Sequence, residues 1–178
     1  MTLIKTGKIP EDGLLKPYAQ RLGCYTDCFL VDVPRRVELF EYVSVFFNTP
    51  VFRLERKLLS VLAASPSDYK DVVDLANGAS DTLAIWKVEA RNETQLIMAV
   101  GEGPIRTWLM CQNNDIDSGT TRLYFGSAVL PTEQSTSEDP KLGRMFHITL
   151  GFHKLYSRIL LGSTKRKLVK NHRCNHPV

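Results

Sequence analysis

The sequence predicts an α+β fold: helices in front, four or five antiparallel strands, and a long amphipathic C-terminal helix. Three observations predict it. Four strand-length segments follow one another between residues 82 and 130, separated only by short runs of turn-forming residues. Apolar residues recur at helical spacing between Arg35 and Ala64. From Leu142 to about Lys170 no proline occurs, and an apolar stripe runs the length of the segment.

The 178 residues are 43% hydrophobic and 24% charged, which leaves room for one well-filled core. No polar linker interrupts residues 24–170, so the organisation expected is an arm over 1–23, one domain over 24–170 and a basic tail over 171–178. The arm holds Pro10, Pro17, Gly7, Gly13 and Gly23 with little periodicity, and is expected to pack on the body or fray.

Each element follows from its residues. Tyr25, Phe29, Val31 and Val33 alternate with Thr26 and Asp32, giving a half-buried strand that Pro34 closes. Val37, Phe40, Val43, Ser44 and Phe47 mark a helix from Arg35 to Asn48. Thr49-Pro50 interrupts it, because proline lacks an N–H and restricts the residue before it. A second helix, about Val51 to Ala64, carries Leu54, Leu58, Val61 and Leu62 on one face. Ser65-Pro66-Ser67-Asp68 offers a turn and an N-cap for a short helix that Asn77-Gly78 ends.

The strands expected are Thr82–Ala90, Gln95–Gly101, Ile105–Gln112 and Thr120–Leu130. Connections this short favour hairpins over parallel crossovers. Thr132–Pro140 is polar and loop-like. In the last helix Leu142, Met145, Phe146, Thr149, Phe152, His153, Tyr156, Ile159 and Leu160 form the stripe, with Arg144, His147, Lys154, Arg158 and Lys165 opposite. An antiparallel sheet with its helices on one face buries that face against them. If the sheet curls around the last helix, an apolar space remains between the two, a concave place of the kind ligands occupy.

Several phrases carry a family resemblance. They are Tyr25-Thr-Asp-Cys-Phe29, Phe46-Phe47-Asn-Thr-Pro50, Leu123-Tyr-Phe-Gly-Ser-Ala128, Leu142-Gly-Arg-Met-Phe146 and Gly151-Phe-His-Lys-Leu-Tyr156 with the basic helix end. Over roughly residues 24–170 the chain resembles an uncharacterised bacterial family of the START/polyketide-cyclase-like (SRPBCC, helix-grip) superfamily, a type sometimes fused to NAD-binding epimerase-like proteins. The resemblance implies a helix-grip-like fold, a curved antiparallel sheet packed around the C-terminal helix, with an apolar cavity. It brings no catalytic residues.

Charge narrows the partners. The net charge is +4, but from Lys154 onward there are seven basic residues and no acidic one, so the body before it is mildly acidic. A nucleic-acid binder spreads its basic residues over a face with aromatics or a known module, so no nucleic-acid partner is expected. The basic end suits the negative end of a helix dipole better than a lipid surface. No run of about 18 apolar residues suggests a spanning helix, and no stable membrane insertion is expected. Met1–Lys16 has no apolar signal-peptide core, so the expected setting is cytoplasmic, with Cys24, Cys28, Cys111 and Cys174 reduced.

The ligand-binding residues expected are Trp86, Arg106, Trp108, Tyr124, Phe146, His153 and Tyr156. His153 lies on the apolar stripe and would serve as acid, base or ligand donor; the plainer alternative is a histidine bonded to a strand. Arg106 shares a strand parity with Trp108, and Arg122 with Tyr124, so aromatics and an arginine could hold an apolar ligand bearing a carboxylate. The same parity also suits an outer face on which arginine stems cover tryptophan. Cys24-x-x-x-Cys28 with His172-x-Cys174-x-His176 invites a zinc reading, but four residues along a strand span too far for one metal. No metal and no cofactor are expected, and phosphate-loop, nucleophile-elbow and dinucleotide motifs are absent from the sequence. The function expected is binding of a small apolar molecule between sheet and last helix. The alternatives are a cyclase or isomerase of the same fold, and an interaction module for a partner enzyme; a homodimer is compatible with each.

Overall fold

A computed structural model describes residues 3–54, 67–113, 119–131 and 140–175; within the last segment the side chains of 140–152 and 172–175 lie outside the description. In chain order the elements are β1 (Lys5–Thr6), α1 (Lys16–Ala19), β2 (Tyr25–Val33), α2 (Leu39–Phe47) and a helical turn α3 over residues 50–54. Then follow α4 (Tyr69–Asn77), β3 (Thr82–Leu83), β4 (Trp86–Arg91), β5 (Gln95–Val100), β6 (Ile105–Asn113), β7 (Thr121–Val129) and α5 (Pro140–Asn175). All seven strands form one antiparallel sheet in the order β1-β2-β7-β6-β5-β4-β3.

The local chemistry of the helix ends accounts for their positions. Thr49 Oγ1 accepts from Phe52 N at 3.3 Å while Pro50 takes the first helical position, so the proline that stops α2 starts α3. Asp68 and Asp71 form a reciprocal capping box on α4, and Gly78 closes it in the left-handed conformation at φ 76°. The Arg91 guanidinium, from β4, donates to the carbonyls of Leu75 and Ala76 and so satisfies the end of α4.

Several elements depart from the expectation. The stretch expected as one strand, Thr82–Ala90, is two strands joined by Ala84-Ile85, with Leu83 opposite Trp86 and Ala84 at φ 51°. A positive φ at the first residue of a two-residue hairpin loop is what a type II′ turn requires, and glycine is usual there. The arm supplies β1 at the sheet edge, which makes seven strands where four or five were expected. α2 begins at Leu39 rather than Arg35, because Val37 N is held by Thr121 Oγ1 at 2.9 Å and Glu38 is extended. α5 runs through Asn175 and takes in most of the stretch expected as a tail. The second half of the helix expected to Ala64, and the loop at Thr132–Pro140, fall largely outside the described residues.

Both faces of the sheet are covered. On the inner face Phe29, Val31, Leu96, Leu109, Leu123 and Phe125 pack against α2, α4 and α5. Tyr42 is fully buried there, its hydroxyl donating to Tyr124 O at 2.9 Å. On the outer face Cys28, Ile97, Trp108, Met110 and Tyr124 are covered by the arm, through Ile9, Leu14, Leu15 and Tyr18. Each large apolar side chain removed from water in these layers contributes about 1.5–3 kcal/mol before conformational entropy is counted.

Candidate functional site

Strand register lays the inner face out in rows running from β2 through β7 to β6. Val31, Leu123 and Cys111 form one row, and Phe29, Phe125 and Leu109 the next; all six are buried. The following row is Asp27, Ser127 and Thr107, and the last is Tyr25, Val129 and Ile105. The face therefore carries polar side chains on both sides of its apolar rows, Thr121 and Asn113 beside Val33 at one end and the Asp27 row at the other. Beyond the Asp27 row it ends in an apolar row that is not closed, with Tyr25 and Val129 half-buried and Ile105 41% exposed.

α5 brings a histidine onto the polar row. His153 Nε2 lies 3.0 Å from Ser127 Oγ and 3.3 Å from Asp27 Oδ2. Asp27 Oδ1 accepts from Ser127 N at 3.0 Å, and Tyr25 donates to Oδ2 at 3.4 Å. The carboxylate is nearly sealed, with its side chain 8% exposed, whereas His153 is 32% exposed. Burial, reinforced by the Asp27 charge, pushes the Tyr25 phenol up to about 12, so it remains a donor through the neutral range. The helix face behind His153 descends through Ser157, Leu160, Leu161, Thr164 and Leu168, all buried. Ile159, placed on the apolar stripe from the sequence, is instead 43% exposed, and Leu155 one turn earlier is 57% exposed.

The residues expected to bind together are separated by this layout. His153 and half-buried Tyr156 are on the inner side, and Trp86 lies deep in the inner core with its ring 5.1 Å from that of Phe52. Trp108 and Tyr124 face outward under the arm, their rings 6.0 Å apart. Trp108 Nε1 donates to Gln95 Oε1 at 3.0 Å, and Tyr124 donates to Gln112 Oε1 at 2.9 Å. Arg106 pairs with Glu89, which also accepts from Tyr18, and its guanidinium sits 5.9 Å above the Tyr18 ring. Arg122 pairs with Asp32 at 2.7 Å. The side chain of Phe146 lies outside the described residues, as do those of His147, His172 and Cys174.

Three residues of the polar cluster were not among those expected: Tyr25, Asp27 and Ser127. Their signal was parity. Asp27 has the same parity as Phe29, Val31 and Val33, and Ser127 that of Leu123 and Phe125, so a carboxylate and a hydroxyl stand on the buried side of two core strands.

A cleft of about 290 Å³ lies on the arm side of β2, where Lys8, Ile9 and Lys16 meet Thr26, Asp27 and Cys28. Its thiol is occupied and unreactive: Cys28 Sγ donates to Lys8 O at 3.8 Å, and burial together with the Asp27 charge pushes it up to about 12. Among the described residues no group of three or more His, Cys, Asp or Glu is placed to hold a metal ion. No helix among them is long and apolar enough to cross a membrane.

The fold and this site define an α+β protein with a seven-stranded curved antiparallel sheet and a C-terminal helix, an arrangement compatible with the helix-grip class. Comparison with family models, curated proteins and solved structures gives no match to the chain, so the START-like resemblance rests on the quoted sequence phrases alone.

Proposed function

We propose that the chain binds a small, largely apolar molecule at the unclosed end of the inner face, between β2, β7 and α5. One observation carries the reading. Beyond the buried apolar rows Val31–Leu123–Cys111 and Phe29–Phe125–Leu109, the β2 start of the inner face ends in a half-exposed row, Tyr25–Val129–Ile105, directly beside the polar row that His153 joins. Sites for small molecules have this composition, apolar walls with a few placed polar groups. The START-like resemblance supports the same reading. Arg106, Trp108 and Tyr124 face the arm and have no part in it.

Native mass spectrometry on freshly purified protein tests this, followed by solvent extraction of whatever departs on denaturation. An added mass that is present in the wild type and lost in Val129→Trp, with the fold retained, is the expected result. The bulky ring would occupy the half-exposed row. An added mass unaffected by that substitution would place the ligand elsewhere and sink the proposal.

The second reading is an enzyme of cyclase or isomerase type at the same row. It is favoured by the convergence of Ser127 and Asp27 on one nitrogen of His153, since proton transfer needs a ring held in place by a partner. Turnover of the extracted compound by wild type but not by His153→Ala separates this from simple binding.

A further inference from the structure

The hydrogen bonds around His153 fix which of its nitrogens faces a ligand. Both oxygens of Asp27 already act as acceptors, Oδ1 from Ser127 N and Oδ2 from Tyr25. Toward Nε2 at 3.3 Å the carboxylate is an acceptor again, so the proton of a neutral ring sits on Nε2. Nε2–H is then shared between Asp27 and Ser127 Oγ, and it is not free to take a proton from the serine. A nucleophilic serine activated by this histidine is excluded by that arrangement, because Asp27 and Ser127 both meet the same nitrogen. By the geometry of the ring, the other nitrogen, Nδ1, directs its lone pair well away from the direction in which Nε2 meets Asp27 and Ser127, on a residue 32% exposed. In the neutral ring it carries a lone pair and only accepts.

We infer that His153 Nδ1 is the polar anchor of the site and that it selects an apolar ligand bearing a hydroxyl donor, such as a phenol or hydroxylated ring. This deepens the reading above and rests on it. The ligand's apolar body would lie along Tyr25, Val129 and Ile105, and its hydroxyl would donate to Nδ1. A ligand whose only polar group is an ether or ketone has no proton to offer a neutral imidazole acceptor. Asp27 and Ser127 are positioning residues: they set the tautomer and hold the ring.

The test uses a probe pair in which O-methylation removes the donor, 4-ethylphenol and 4-ethylanisole, titrated into the full chain labelled with ¹⁵N. In the free protein the imidazole correlations of the neutral His153 ring should show the proton on Nε2. The phenol should shift Nδ1 and the amides of Tyr25, Val129 and Ile105, binding about tenfold more tightly than the ether, as one added hydrogen bond gives. His153→Gln, whose amide replaces the Nε2 donor but not the Nδ1 acceptor, should abolish the difference while leaving the melting curve near that of the wild type. Equal affinity for both probes, or a proton found on Nδ1, overturns the inference and leaves the binding site itself standing. Shifts from neither probe at these residues overturn the inference as well. The mass-spectrometric experiment decides the site independently: a natural ligand there without a hydroxyl would refute the donor rule alone.

Discussion

The two faces of one sheet are finished in opposite ways. On the outer face the polar side chain that the arm buries most deeply is partnered at both its oxygen and its nitrogen. Gln95, 2% exposed, accepts from Leu14 N at 2.8 Å and Trp108 Nε1 at 3.0 Å, and donates to Asp12 O at 3.0 Å. Leu15 fills the space above Gly126, where an added Cβ would come within 2.7 Å of the leucine and 2.8 Å of Asp27 O. On the inner face the same strands leave a polar row with a histidine whose second nitrogen has no bond among the described residues, next to a row left half open. Buried polar groups are satisfied where their role is structural, and unspent hydrogen-bonding capacity beside open apolar surface is the mark of a place for something else. The difference teaches that the arm is part of the core and the row at Asp27 is not only that.

Removing the outer cover gives the largest expected effect. Leu15 is fully buried between Trp108 and Gly126, so Leu15→Ala should cost about 2–5 kcal/mol in chemical denaturation, the transfer loss plus the cavity left behind. Quenching of Trp108 fluorescence by iodide should rise with it. A loss under about 0.5 kcal/mol, in the range of ordinary surface substitutions, would show that the arm merely rests on the sheet and would break the contrast between the faces.

The inner row should respond less in stability and more in binding. Asp27→Ala leaves the Ser127 N–H without its acceptor in a residue 2% exposed, and removes the partner of Nε2. The expected loss is about 1–3 kcal/mol, the desolvation cost of an unmet buried donor. An increase in stability would mean instead that the carboxylate is held there at a cost, a strain that only a functional role would retain. Either sign is read from one unfolding curve.

How much of this was legible follows from where the information lies. β2 was placed residue for residue because alternation and Pro34 are local, and the end of α4 because Asn77-Gly78 is a local signal as well. The hairpin at Ala84-Ile85 was hidden because neither residue is a usual turn former, and pairing of Leu83 with Trp86 enforces the turn from outside. Parity grouped Arg106 with Trp108, but it could not say which face the helices would take. Both faces carry apolar side chains, Leu96 and Met98 on one and Ile97 on the other, because the arm covers what would otherwise be a wet surface. The site was missed for a related reason. His153 stood out by type on the apolar stripe, whereas Asp27 and Ser127, each marked only by the buried parity of its strand, are brought together by a pairing of β2 with β7 across about a hundred residues of chain.

The smallest effect concerns the second carboxylate of β2, five residues from the first and on the other face. Asp32 is bonded to Arg122 at 2.7 Å, with the two side chains 35% and 37% exposed. The Arg122 hydrogen bond draws Asp32 below the ordinary carboxylate value, against a smaller opposing effect of burial, with the charges of Arg122, Lys5 and Lys165 adding to the lowering. A lowered folded value means that the unfolded chain binds the proton first. The pair therefore stabilises the fold above the ordinary value of 3.8, and that contribution is lost as pH falls through the lower folded value. Exposure and salt screening limit it to about 0.2–1 kcal/mol. Asp32→Asn should accordingly lower the melting temperature slightly near pH 6, by an amount that shrinks as pH falls below 3.8 and in about 1 M salt. A loss as large as that of Asp27→Ala, or one insensitive to salt, would show that the fold depends on the outer carboxylate as much as on the inner one. The distinction between a solvated ion pair and a built polar row would then have to be given up.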